Sequence, residues 1–396
     1  MGPGLVVMLA DTDVGSIITA AQSGVQWGYR LLLLQVALIP VLFVVQELTV
    51  RLGLFTGKGH GELIRETFGG GWAWLSFAGL GVATLGALVT EFSGVAGVGE
   101  LYGIPRAASL AACTLFLLFV VFTGSYRRVE RVAILLGLFE FAFFVVAWQA
   151  RPKLGEVGAG LAQMPLANPH YWYLVAANIG AVIMPWMIFY QQSAVADKKL
   201  GPGDYTWARW DTAFGAVVTQ AVMAAVLMAA AATIGRHGAE TRLDGIGDVS
   251  RMLVPALGPE IGRTVFGLGT LGAAMVAAIV VSLASAWGFG EVTGHRHSLE
   301  YHPLEAPWFY GIYAVAVIGG AVIVGVVPDL VALNIGVEVM NALMLPLVLG
   351  FLVMLAFKAL PAERRPRGLY AWIVVAVSAL TAGLGVYGGI SGAHLF

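Results

Sequence analysis

Apolar runs of about twenty residues recur along the whole chain, and they constrain its fold more than any other feature. A helix needs ~20 mostly apolar residues to cross a hydrocarbon core of ~30 Å. The 396 residues are 59% hydrophobic and 11% charged, with a mean hydropathy of +0.83. This composition is typical of an integral membrane protein and excludes an ordinary soluble domain.

The apolar runs predict eleven membrane-spanning helices. They cover residues 3–27, 29–50, 71–98, 105–124, 129–149, 171–194, 206–234, 260–292, 307–327, 331–357 and 368–390. Lys and Arg are enriched in cytoplasmic loops, and the two densest basic clusters, at 127–131 and 363–367, fall on the same side of this topology. We therefore expect a multi-pass protein of the cell membrane with its N-terminus in the cytoplasm.

Charge, cysteine content and residue spacing argue against a nucleic-acid partner, a disulfide or cysteine metal cluster, and an enzyme. The formal net charge is -1 and no basic tract offers phosphate neutralisation, so nucleic acid is not expected as a partner. Cys113 is the only cysteine, which leaves neither a disulfide nor a cysteine metal cluster within one chain. No nucleophile and base occur at a recognisable spacing, so an enzyme is not expected either. We expect a monomer in the lipid bilayer without a cofactor.

Polar residues interrupt the first apolar run at 11–16, which reads Asp-Thr-Asp-Val-Gly-Ser. In hydrocarbon, ionisable side chains and freed backbone groups are tolerated only where they face a cavity or a partner. We therefore expect Asp13 and its neighbours to bind a cation. The alternative is that Asp13 caps the second half of the broken helix, where the helix dipole stabilises a carboxylate by up to ~1 kcal/mol. Ser16 is equally suited to capping and to binding.

A second interruption follows five spans later, at Asn178 to Trp186. Pro185 lacks a backbone donor and clashes with the preceding turn, which leaves carbonyls near Ala181 without helical partners. Two broken helices at matching positions in two halves of five spans indicate a transporter built from inverted repeats. Its binding site is expected at the breaks.

The motifs at these breaks resemble those of the NRAMP family of divalent metal transporters. Residues 2–4 and 13–16 stand at the spacing of the family's Gly-Pro-Gly opening and its Asp-Pro-Gly-Asn break. Residues 180–185 read Gly-Ala-x-x-Met-Pro, as in the family's sixth span. Residues 46–62 are similar to its loop between spans two and three, and residues 338–346 to part of its tenth span.

This resemblance implies an all-α, LeuT-like fold in a single transmembrane domain of eleven helices. Repeat one would cover about 1–150, repeat two about 170–358, and a peripheral eleventh helix about 368–390. The implied function is import of a divalent metal cation, Mn2+ or similar, by alternating access. The implied ligands are Asp13, the Ala181 carbonyl and Met184, with Ser16, Glu338 and Asn341 assisting directly or through water.

Met184 and Glu338 point to different ions. A thioether favours transition metals, and the family's magnesium-carrying relatives lack the methionine, so Met184 favours Mn2+. Glu338 supplies a second carboxylate, which suits a hard ion such as Mg2+ or lets one acid bind metal while the other binds a proton. Asn341 lies on the same helical face as Glu338 and could hold a water. Transport of Mg2+ or of a broad range of divalent cations is therefore the alternative.

Proton coupling is left open by the sequence. Glu91 looks like the family's third-span glutamate of the proton route, and Asp11 and Glu338 are the other candidates. The family's third-span aspartate is replaced by Leu88, and its two span-six histidines by Trp186 and Gln191.

Further acids lie in or near the spans, and a chain of such groups could relay protons. Glu140 is one of them, without a specific role. Glu47 and Glu291 lie near cytoplasmic helix ends, where we expect them at the membrane interface.

The remaining departures concern the ion site itself. Val14 stands for the family's proline, Ser16 for its asparagine and Glu338 for a glutamine. These replacements indicate a divergent branch close to the NRAMP-related magnesium transporters. A membrane-embedded sensor, as in the ethylene-signalling relatives, or a carrier of a non-metal solute is the alternative of another class.

Overall fold

The computed structural model of the chain describes residues 2–233, 243, 246–327 and 333–392, and the predicted span ends at 234 and 331 lie outside these ranges. The described residues form helices and connecting segments, without strands. The helices are α1 (Pro3–Asp11), α2 (Val14–Trp27), α3 (Leu32–Thr56), α4 (His60–Phe68), α5 (Gly70–Leu101), α6 (Arg106–Phe122), α7 (Tyr126–Gly137), α8 (Ala142–Ala150), α9 (Leu154–Leu161), α10 (Pro169–Val182), α11 (Pro185–Asp197), α12 (Tyr205–Thr233), α13 (Ile246–Leu257), α14 (Phe266–Thr293), α15 (Pro307–Val326), α16 (Leu333–Lys358) and α17 (Gly368–Gly392). A 3-10 turn, Leu138–Phe141, joins α7 to α8, and a π-helical turn, Glu260–Val265, precedes α14.

Within the described residues, nine helical segments are long and apolar enough to cross a membrane, and the bent pair α1 and α2 makes a tenth. The 17-residue α6 lies where the fourth span is predicted but is shorter than these. The count of eleven spans therefore stays a prediction. The helix that carries the second predicted span, 29–50, runs from Leu32 to Thr56, through a charged turn in which Arg51 pairs with Glu47 at 2.7 Å.

The two predicted interruptions are breaks between helices. The axes of α1 and α2 meet at 49°, with Asp13 extended at φ -80° and ψ 174°. Between α10 and α11, Ile183 and Met184 are extended and Pro185 begins the new helix. A residue before proline disfavours the helical conformation, and proline is well suited to a first helical turn, so Pro185 accounts for this break locally.

The broken helices lie in the core, held there by close backbone contacts. Gly24 of α2 lies against the backbone of Leu227 and Ala231 in α12, and a Cβ at Gly24 would overlap that backbone. At the start of α1, the Asp211 carboxylate of α12 accepts hydrogen bonds from the backbone N–H groups of Gly2 and Leu5, both at 2.9 Å. The first broken helix is thus fixed to α12 along its length.

Buried polar hydrogen bonds join neighbouring helices on either side of the breaks. On the side where α1 begins, Gln191 of α11 accepts from Thr49 of α3 at 2.5 Å and donates to Thr212 of α12 at 3.0 Å. On the opposite side, Asn178 of α10 donates to Ser23 of α2 at 2.8 Å and accepts from Gln35 of α3 at 2.6 Å.

Glu47 and Glu291, for which the sequence predicts positions at the membrane interface, lie near helix ends, and protein encloses both side chains. Glu47 pairs with Arg51 and accepts hydrogen bonds from two tyrosine hydroxyls, Tyr205 of α12 and Tyr370 of α17. Glu291 accepts from the backbone N–H of Gly61 at 2.8 Å and from the Ser193 hydroxyl. Tertiary contacts between remote helix ends bury both carboxylates.

Candidate metal site between the two broken helices

Asp13 is the residue at which α2 begins. Its carboxylate accepts a hydrogen bond from the backbone N–H of Ser16 at 2.7 Å, and the side chain is 1% exposed. This is N-cap geometry at the positive end of the helix dipole. Asp13 therefore has the capping role that the sequence offered as an alternative.

Ser16 connects the two breaks. Its hydroxyl donates to the backbone carbonyl of Ala181 at 3.0 Å. Ala181 lies in the last turn of α10, where carbonyls lack a partner within their own helix. One hydroxyl thus brings a residue of the first break to a carbonyl of the second.

Glu338 of α16 lies beside both breaks. Its carboxylate packs so closely against Gly15 that a Cβ at Gly15 would overlap it, and its backbone carbonyl packs equally closely against Gly180. Asn341 donates to the Glu338 Oε2 at 3.1 Å, while the Asn341 Oδ1 has no hydrogen-bond partner. The predicted pair on α16 is therefore a neighbour of the first turn of α2.

Glu91 of α5 also reaches the start of α2. Its Oε2 accepts from the backbone N–H of Val14 at 3.3 Å, and its Oε1 has no partner. Asp13, Glu91 and Glu338 thus surround one helix N-terminus. The sequence predicted Glu91 only as a proton-route residue, because its approach to Val14 comes from packing of separate spans.

Asp11 faces α12. Its Oδ2 lies 3.4 Å from the Thr219 hydroxyl, its Oδ1 has no partner, and Thr219 also contacts the Thr12 hydroxyl at 2.9 Å. Thr12 and Thr219 were not singled out by the sequence, which gave no signal that pairs these spans.

Met184 occupies the second break itself. It is extended, at φ -103° and ψ 144°, immediately before α11, and its side chain is fully buried. Hence its thioether lies inside the bundle and not at the lipid surface.

The four acids Asp11, Asp13, Glu91 and Glu338 are each 0–1% exposed. In the part of the chain that the structure describes, no Lys, Arg or His forms an ion pair with any of them. Ionised carboxylates away from water cost several kcal/mol, so these acids are stable there either protonated or with a bound cation. Within those same ranges, no three His, Cys, Asp or Glu side chains converge as a ready metal cage. A bound ion would also need the carbonyl, hydroxyl and thioether groups or water.

A helical membrane bundle with two facing broken helices defines a class of proteins, the LeuT-fold transporters. MhsT in complex with L-phenylalanine superposes with a TM-score of 0.61 at 14% identity, covering 98% of each chain. The Eremococcus coleocola manganese transporter superposes with a TM-score of 0.80 at 19% identity, covering 99% of this chain and 86% of that one. The predicted LeuT-like fold is confirmed.

The chain belongs to the Nramp family: the model for natural resistance-associated macrophage protein-like sequences matches residues 4–391. It is 26% identical over 295 residues to the divalent metal cation transporter MntH of Agrobacterium fabrum, and 28% identical over 298 residues to that of Bradyrhizobium diazoefficiens. Each alignment covers 72% of this chain, but 64% and 66% of the two relatives. The predicted family resemblance is confirmed, and the chain is a multi-pass membrane protein.

Proposed function

We propose that this protein imports a divalent metal cation into the cytoplasm by alternating access. The observation that carries the proposal is the hydrogen bond from Ser16 to the Ala181 carbonyl, which joins the two breaks beside the carboxylates of Asp13 and Glu338. Its relatives in Agrobacterium and Bradyrhizobium, named as divalent metal cation transporters, support the same assignment.

The proposed ligands are the Asp13 carboxylate, the Ala181 carbonyl and the Met184 thioether. Ser16 assists as a hydroxyl ligand once it releases that carbonyl. Glu338 and Asn341 contribute directly or through a bridging water, for which the unpartnered Asn341 Oδ1 is available. A thioether beside oxygen donors favours Mn2+ or a similar transition metal over Mg2+.

Access from each side requires a different polar bridge to open. Release towards the side where α1 begins would separate Asp211 from Gly2 and Leu5, and Gln191 from its partners. Entry from the opposite side would separate Asn178 from Ser23. We assign the first side to the cytoplasm, with the protein in the cell membrane and acting as a monomer.

Transport of Mg2+ or of a broad range of divalent cations is the second candidate, favoured by the second carboxylate at Glu338. Glu91, Asp11 and Glu338 are the proposed proton-route residues if transport is proton-coupled. Glu91 and Asp11 each have one carboxyl oxygen with a hydrogen-bond partner on another helix and one without a partner.

The test is uptake into proteoliposomes of Mn2+, Mg2+ and Ca2+, each measured alone, with a pH dye inside the vesicles. We expect saturable Mn2+ entry that exceeds Mg2+ entry, and no entry into protein-free vesicles. If Mg2+ enters as fast as Mn2+, the protein transports a broad range of divalent cations and is not selective for Mn2+. Absence of entry for every divalent ion would refute the function.

A further inference from the structure

A groove on the outer surface of the bundle has no task in the proposed function. It lies between α8 and α12 and has a volume of about 820 Å³. Alanines from both helices line it, and two of them, Ala147 and Ala225, are buried. The larger apolar side chains of Phe144 and Met228 also line it, and Phe144 is 38% exposed. Small side chains therefore leave space between the two helices, and we refer to this space as the α8–α12 groove.

The α8–α12 groove extends from the end of a span into the hydrocarbon. The span that contains α8 ends at Ala150, and the next residue, Arg151, lines the groove. Trp148 lines it too and is 81% exposed, as is typical of tryptophans at the level of the lipid headgroups. Between Phe144 and Arg151 the chain rises by roughly 10 Å, which lies within the roughly 15 Å of hydrocarbon in one leaflet. The groove thus has the position and depth of a lipid acyl chain.

Arg151 gives the end of the groove a positive charge. It is the only charged residue among the described residues that line the groove, and its side chain is exposed. Within the described ranges it forms no ion pair, whereas the nearby Lys153 pairs with Glu156 at 3.0 Å. A guanidinium matches the geometry of a phosphate group and can donate two parallel hydrogen bonds to it. The charge at this end is therefore complementary to an anionic headgroup.

The backbone of Arg151 is a second, independent observation. Its φ of 49° and ψ of 61° are left-handed, a conformation that costs most side chains roughly 1–2 kcal/mol and that glycine usually supplies at a helix end. In the part of the chain that the structure describes, Lys199 is the only other non-glycine residue with a positive φ. The helix dipole favours a cation anywhere in the last turn of α8 and does not require this conformation. An arginine at this strained position indicates a role for its side chain.

We propose that the α8–α12 groove binds an anionic phospholipid of the bilayer, with its phosphate at Arg151 and one acyl chain along the alanines. A zwitterionic phospholipid carries its own cation beside the phosphate, so a free arginine favours the anionic headgroup. The chain fills space that the small side chains leave open and gains dispersion contacts there. This binding does not depend on the proposed function, and it is measured without a metal ion, so the failure of one is distinguishable from the failure of the other.

The test is native mass spectrometry of the purified, delipidated full-length protein, titrated with phosphatidylglycerol or with phosphatidylcholine of the same acyl chains. We expect saturable binding of phosphatidylglycerol, about fivefold tighter than that of phosphatidylcholine. Arg151→Gln should lower the affinity for phosphatidylglycerol to that for phosphatidylcholine, and Arg151→Lys should restore part of the difference. Lys153→Gln is the matched control, because Lys153 is an exposed basic residue two positions away that does not line the groove, and it should leave both affinities unchanged.

A second variant tests the acyl chain. Ala224 lines the groove and is only partly buried, so Ala224→Phe should fill the groove and weaken binding of both lipids. If this variant does not fold, as judged by its size-exclusion profile, Ala221→Leu adds less volume at another lining position. The proposal is wrong if the wild type binds no phosphatidylglycerol saturably, if it binds both lipids equally, or if Arg151→Gln keeps the wild-type affinity. A dimer that Ala224→Phe dissociates would assign the groove to a second copy of the chain and also overturn the proposal.

Discussion

Gly180 of α10 lies against the backbone carbonyl of Glu338 in α16, so closely that a Cβ would overlap that oxygen. Gly180 directly precedes Ala181, whose carbonyl accepts a hydrogen bond from the Ser16 hydroxyl. It therefore fixes the distance between α16 and the second break. A glycine at this position is explained by close approach and not by backbone conformation, since Gly180 is within a regular helix.

Gly180→Ala should destabilise the protein although alanine favours helices by about 1 kcal/mol over glycine. The added methyl group must displace the backbone of α16, which cannot move as a flexible side chain would. We expect a lower melting temperature and reduced Mn2+ uptake. Gly81→Ala in α5 is the control, because nothing lies within 4 Å of an added Cβ there, and it should not lower the melting temperature. Equal melting temperatures for Gly180→Ala and wild type would contradict the close contact.

Asp13→Asn separates the two roles of Asp13. Asparagine caps helices about as well as aspartate, so the hydrogen bond from the Ser16 N–H should persist and the protein should fold. The loss of charge should weaken Mn2+ binding by at least about tenfold, or ~1.4 kcal/mol. Calorimetric titration and vesicle uptake measure this, with the exposed Asp204→Asn as control. Unchanged Mn2+ affinity would mean that Asp13 serves only as a cap.

Met184→Leu tests the thioether, because leucine keeps a similar volume without sulfur. We expect affinity for Mn2+ and Cd2+ to fall about tenfold while Mg2+ affinity stays within about twofold, since Mg2+ prefers oxygen ligands. Met187→Leu is the matched control, a fully buried methionine in the first turn of α11. Equal loss for Mn2+ and Mg2+ in Met184→Leu would show that the sulfur is not a ligand.

His60 should make stability depend on pH. It lies in α4, outside the spans, and burial lowers its pKa to about 4 although Gln192 hydrogen-bonds its Nδ1 at 3.0 Å. Between pH 6.5 and about 4 the unfolded chain binds a proton that the folded protein excludes, so stability falls as pH falls, by up to about 3 kcal/mol. The melting temperature of the wild type should therefore drop more between pH 7 and pH 5 than that of His60→Gln. His170→Gln changes an exposed position and should show the same drop in melting temperature as the wild type. If His60→Gln also shows the wild-type drop, His60 is not the source of the pH dependence.

The local sequence was sufficient to predict both helix breaks. Pro185 ends helical conformation at the preceding residue, and two carboxylates with a glycine cannot continue an apolar helix at Asp13. Such effects act within a few residues and need no knowledge of neighbours. The helix that carries the second span continues past residue 50 to Thr56, through a charged turn in which Arg51 pairs with Glu47.

The sequence by itself determined that this is a membrane bundle with two interrupted helices and acids at the first interruption, because hydropathy, proline and buried charge act through short segments. Only the tertiary structure decided which groups share a site. It joined Ser16 to Ala181 and brought Glu91 and Glu338 to the start of α2. These partners lie on different spans, and their pairing depends on the packing of helices remote in sequence, for which no local pattern carries a signal.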